Sequence, residues 1–184
     1  MFQEADLDVC DSKMGIHCEL PVELCCFNNL LMTDPSTEFP RIDLGHVPSS
    51  DAIETLYAAV LDRSLPKQCW THGAHLVFAL TYLSRHDLKT ARAEMPDLIR
   101  RYNEATNTPN TDTDGYHETI TQFYLGELEA FRREHGGATL KQAVSTLLKN
   151  RISDRDHALR AYSRERLFSV EARREWIQPD LRPA

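Results

Sequence analysis

CWTHGAHLVFALTYLSRHDLKTARAEMPDLIRRYNEA, residues 69–105, is the stretch that decides the fold. At 3.6 residues per turn its first half puts His72, Leu76, Ala79, Leu80 and Leu83 on one face, with His75 and Tyr82 beside it. That is an amphipathic helix over about 69–85. The second half, about 87–105, turns Leu88, Ala91, Met95, Leu98, Ile99 and Tyr102 inward. Pro96 falls in its middle and predicts a kink or a split, because proline lacks the N–H of the helical ladder. Two consecutive stripes of helical period predict an all-α protein.

The same period continues on both sides. Upstream, Asp51 followed by Glu54 resembles a capping box, and Ile53, Leu56, Tyr57, Val60 and Leu61 form a stripe that ends at Pro66. Downstream, NTPNTDTDG (107–115) is a loop by composition. Asp114 is then the expected N-cap of a helix over about 115–134, with His117, Ile120, Thr121, Tyr124, Leu128 and Phe131 on its inner face. Gly136 and Gly137 stop it, Thr139 with Gln142 opens a helix through Leu148, and shorter helices start after Ser153 and Ser169. The chain ends in an extended QPDLRPA. Residues 1–48 differ: they hold four of the five Cys and four of the nine Pro, and show no sustained period. The expected architecture is a single-domain helical bundle over 49–184 with an irregular N-terminal arm over 1–48, in which VELCCFNNLLM is the one apolar segment.

A net charge of −7 over 184 residues excludes nucleic acid as a general partner, since phosphate binding needs a basic excess. The arginines between Arg151 and Arg174 are interleaved with acids and read as a solvated face. No apolar run reaches the roughly 18 residues of a membrane span, so no membrane partner is expected. No secretory leader is visible either. The five cysteines (Cys10, Cys18, Cys25, Cys26 and Cys69) follow no disulfide rhythm, and His17 with Cys18, Cys25 and Cys26 fits no zinc-knuckle spacing. A cytoplasmic protein with reduced thiols is expected.

Three histidines carry the functional reading. His72 and His75 are neighbours at i,i+3 on one helix, and His117 opens another on its apolar side. Imidazoles turned inward require a hydrogen-bond partner, a metal or a substrate. A centre ligated by His72, His75 and His117 follows, with Fe, Mn, Cu, Ni and Zn all compatible with imidazole donors. Glu118, about 100° around the helix from His117, is a base or a group that orients the site. Tyr124 is the second catalytic candidate, and Tyr116 and Thr121 belong to a pocket with the 107–115 loop at its mouth. The alternative is that these are hydrogen-bonded core or cap histidines, with His72 beside Tyr82 or Tyr124. His86, His135 and His157, near helix ends, read as surface residues.

HGAHLVFALTYL, LIRRYNEA, GYHETIT and the tail YSRERLFSVEARREWIQPDLRPA resemble a group of small, functionally uncharacterised bacterial helical proteins. The shared patterns are H-x-x-H-L, I-R-x-[FY], Y-H-E-T-[IL]-T and Y-S-x-E-x-[LM] followed by P-D-L. The resemblance runs from Trp70 to the C-terminus. It implies that the two histidine motifs form one site framed by the Arg100 segment and the tail, which adds Arg100 to the pocket. The expectation is a small metal-dependent enzyme acting on a small-molecule substrate, an oxygen-using oxidase or oxygenase before a zinc hydrolase or lyase. The alternative is a non-catalytic accessory or binding protein with structural histidines. A homodimer is compatible with a bundle of this size.

Overall fold

The computed structural model describes Phe39, Arg41, Ile42 and residues 46–181. The cysteine-rich part of the expected arm, with VELCCFNNLLM and the residues weighed for zinc, lies outside the described residues. Among the described residues the protein is all-α, with α1 (Ser50–Leu61), α2 (His72–Arg85), α3 (Leu88–Ala105), α4 (Glu118–Glu134), α5 (Leu140–Leu147), α6 (Arg164–Leu167) and α7 (Val170–Arg174). Single 3₁₀ turns occupy 67–69, 151–153 and 157–160. No described helix is long and apolar enough to cross a membrane.

Side chains set the helix starts. Ser49, Thr71, Asp87, Thr139 and Ser169 each accept a hydrogen bond from a first-turn amide of the helix that follows. Thr139 and Gln142 form the reciprocal capping box expected of them. The cap of α4 is not Asp114 but His117, three residues later, whose ring Nδ1 accepts from Ile120 N.

The central helix is α2, packed on α1, α4 and α5. Ala74, Leu76, Val77, Phe78, Leu80, Tyr82 and Leu83 are all buried, so apolar residues surround most of its circumference. Thr81, also buried, donates to Val77 O at 2.7 Å. Ile42 is 1% exposed and belongs to this core, with Phe39 packed against it. Its carbonyl accepts from Thr71 Oγ1. Gly73 permits that approach, because a Cβ there would stand 2.9 Å from Ile42 O. Phe39 and Ile42, read from sequence as part of the arm, therefore take part in the core.

α3 is continuous through Pro96 rather than split. The carbonyl that residue 96 would serve in a regular ladder, Arg92 O, accepts instead from Gln122 Nε2 of α4 at 3.2 Å. α4 packs against α2, α3 and α7. A second apolar cluster of Ala158, Tyr162, Leu167, Ala172 and Ile177 lies under the tail, and Tyr124 packs against both clusters.

Candidate functional site

His117 sits in extended backbone at φ −140°, outside the helix it caps. The stripe that places Thr121 and Tyr124 in line with it therefore does not exist. The buried residues of α4 are Thr119, Gln122, Leu125, Leu128, Glu129 and Phe131, whereas Thr121 and Tyr124 are half-buried. Both ring nitrogens of His117 are in use. Nδ1 accepts from Ile120 N at 3.3 Å, so Nε2 carries the proton and donates to Leu167 O at 2.9 Å. Burial first, and Arg173 second, push its pKa down to about 4, which keeps the ring neutral.

His117 thus joins α4 to α6 and does not reach toward α2. His75 donates from Nδ1 to Thr71 O at 2.7 Å and lies against Trp70, ring centroids 3.9 Å apart. His72 faces the edge of Tyr124 at 5.8 Å. Among the described residues no three His, Cys, Asp or Glu side chains form a group able to hold a metal ion. The residues do not fit a centre ligated by His72, His75 and His117, because an N-cap imidazole spends its lone pair on a backbone amide.

Thr119 of the Y-H-E-T motif binds the C-terminal tail. Thr119, fully buried, donates from Oγ1 to Glu175 O at 2.7 Å and accepts from Ile177 N at 3.1 Å. The tail closes on its own segment as well. Tyr162 donates to Ile177 O, Ser163 donates from N and Oγ to the Asp180 carboxylate, and Leu181 N donates to Ala161 O. Arg173 donates to the Gly115 and Tyr116 carbonyls at 3.3 and 3.1 Å, and Arg174 forms a two-pronged pair with Asp112. The motif pair that carries the resemblance is therefore a clasp between the start of α4 and residues 162–181.

Tyr116, Glu118 and Arg100, all singled out from sequence, do come together. The Arg100 guanidinium lies 4.2 Å over the Tyr116 ring, and its nitrogen is 3.9 Å from Glu118 Oε2. Glu118 Oε2 accepts from the Tyr116 hydroxyl at 2.7 Å, and Oε1 accepts from Gln122 Nε2 at 2.9 Å. Burial and then the bond to Glu118 drive the Tyr116 hydroxyl pKa up, with Thr121 and Arg100 opposing. Tyr116 therefore donates to Glu118 and does not serve as a base. Behind it, Asn110 Oδ1 accepts from Asn103 Nδ2 and Tyr116 N, and Asn110 Nδ2 donates to Arg100 O. Gly115, at φ +74°, turns the chain from this loop into α4, and any side chain there would meet Pro109 O.

Of this network, Glu118 and Gln122 reach a cleft of about 350 Å³ that is lined also by Arg92, Trp176 and Gln178. A larger, flatter hollow of about 460 Å³ lies on the loop and is lined by Glu104, Asn107, Thr108, Pro109 and Asn110. The smaller cleft is the stronger site, since it concentrates both charge signs, two amides and an indole. Of its lining only Glu118 was legible in sequence. Gln122 stands one helical turn beyond Glu118, while Trp176 and Gln178 arrive from the tail, and no local pattern announces that docking.

Tyr124 does not line the cleft. Its ring lies near those of His72 and His157, centroids 5.8 and 6.1 Å away, with its hydroxyl 3.4 Å from Asp154 O. Burial and then Asp156 push its pKa up to about 12. His157, read from sequence as a surface residue, is 5% exposed and bonds Glu127 Oε2 at 2.9 Å through Nε2. His157 Nδ1 and His72 Nε2 are buried without a hydrogen-bond partner among the described residues, although the Ser153 backbone lies close to His72. His135 matches its expected helix-end role, with Nδ1 against Phe131 O at 2.9 Å. Comparison with protein-family models, with curated proteins and with solved structures gives no match to this chain.

Proposed function

We propose that this protein binds a small polar molecule in the cleft beside the first turn of α4, with its histidines serving the fold. The observation that carries this reading is the Glu118 carboxylate. It is 18% exposed, held by Tyr116 and Gln122, and open to a cleft whose other walls are Arg92, Trp176 and Gln178. A charged group fixed by neighbours at the edge of a concave surface is pre-organised for a ligand, because its orientation costs nothing at the moment of binding. Trp176 is 38% exposed and reports the event. The test is a small-molecule screen followed by thermal shift and tryptophan fluorescence on the full chain. Hits that disappear together in Glu118→Gln and Trp176→Ala support the cleft; hits that survive both variants place the ligand elsewhere.

A metal-dependent enzyme is the second reading, favoured by the unpartnered nitrogens of His72 and His157, whose rings both lie near Tyr124. A neutral imidazole with a free lone pair is the form that takes Fe, Mn, Cu, Ni or Zn. Elemental analysis of protein purified without an affinity tag tests it. Stoichiometric metal lost in both His72→Ala and His157→Ala supports this reading, and metal-free protein refutes it.

A further inference from the structure

Resting on the cleft reading above, we infer that the ligand class is a small zwitterion carrying a carboxylate, an ammonium group and a flat apolar body, as in an aromatic amino acid. The argument is an inventory of which groups in the cleft remain unsatisfied. Arg92 forms no ion pair among the described residues, although its backbone carbonyl is engaged by Gln122. It is the one cation of the lining and suits a carboxylate, which a guanidinium grips with two parallel donors. Glu118 and Gln122 offer the opposite chemistry. Both Gln122 Nε2 hydrogens are spent, on Arg92 O and Glu118 Oε1, which leaves its Oε1 as an acceptor only. Each Glu118 oxygen accepts one bond from Tyr116 or Gln122. Oε2 also has an Arg100 nitrogen at 3.9 Å, and Oε1, with no cation beside it among the described residues, keeps a lone pair for a ligand donor. Donor-only Arg92 and acceptor-only Glu118 and Gln122 thus line the same 350 Å³ cleft. Trp176 adds a half-exposed indole face, and a plain carboxylate would leave that face and the acceptors unused.

Three probes separate the possibilities: L-phenylalanine, benzoate and benzylamine, titrated into the full-length protein by calorimetry and by Trp176 fluorescence. The expected result is phenylalanine binding at least about tenfold tighter than either of the others. Arg92→Ala should remove the advantage over benzylamine, and Glu118→Gln the advantage over benzoate. Benzoate binding as tightly as phenylalanine overturns the zwitterion while leaving the cleft standing. Phenylalanine affinity unchanged in both variants overturns the inference too. Binding of none of the three, in a protein whose cleft does bind a screened compound lost in Glu118→Gln, overturns the ligand class alone. Absence of any compound sensitive to Glu118→Gln overturns the cleft reading beneath it.

Discussion

Replacing Pro96 by alanine should stabilise this protein, and the gain should depend on Gln122. Proline inside a helix costs about 3 kcal/mol relative to alanine, through the lost hydrogen bond and the clash with the preceding turn. In α3 part of that cost is already offset, because Arg92 O accepts from Gln122 Nε2. Pro96→Ala should therefore raise stability by about 1–2 kcal/mol rather than the full amount. Gln122→Leu in the natural background leaves Arg92 O without its partner and removes a donor from Glu118, a loss of about 2 kcal/mol. In the Pro96→Ala background residue 96 supplies an N–H to Arg92 O, and the same substitution should cost only about 1 kcal/mol. The double-mutant cycle thus has a coupling of about 1 kcal/mol. Urea denaturation followed by far-UV circular dichroism measures all four corners, provided the slope m stays constant. Additivity within about 0.3 kcal/mol would refute the compensation between Pro96 and Gln122.

Three further outcomes are expected. His117 has its folded pKa pushed down to about 4. The unfolded chain therefore binds its proton first as pH falls below about 6.5, and stability drops from there toward pH 4. Between pH 7 and pH 5 His117 should contribute a loss of about 2 kcal/mol, and His117→Asn, which keeps a capping oxygen, should remove that share while leaving the parts due to His72 and His75; an unchanged pH profile in that variant refutes the assignment. Thr119→Val removes both clasp bonds at constant shape and should cost about 2–4 kcal/mol, with residues 175–181 becoming protease-sensitive before the bundle unfolds. A tail that stays protected in Thr119→Val argues against the clasp. Gly73→Ala forces a methyl to within 2.9 Å of Ile42 O and should cost about 1–3 kcal/mol; wild-type melting in that variant means Ile42 does not dock on α2.

The helical class and the starts of α3, α5 and α7 could be read from sequence, because they depend on interactions a few residues long. The caps of α1, α2, α4 and α6 are Ser49, Thr71, His117 and Ser163, not the positions the local pattern suggested. The stripes of α1 and α2, the 107–115 loop and the Thr139–Gln142 capping box all belong to this local kind. Gln122 and His117 show where that reading ends. An imidazole at position 117 is equally consistent with a metal ligand and with a cap. The choice was made by Leu167, whose carbonyl lies 50 residues away and takes the Nε2 proton. The α4 residues that line the cleft are Glu118 and Gln122, not Thr121 and Tyr124. The cluster of Tyr116, Glu118 and Arg100 was named from sequence only as separate residues. Its partner wall, Trp176 and Gln178, exists because Thr119 holds the tail across the start of α4. Helical period is a property of neighbouring residues, so the sequence alone determines it. Which polar groups find each other, and which are left facing a cleft, is a property of packing across distant segments, and only the tertiary structure decided it.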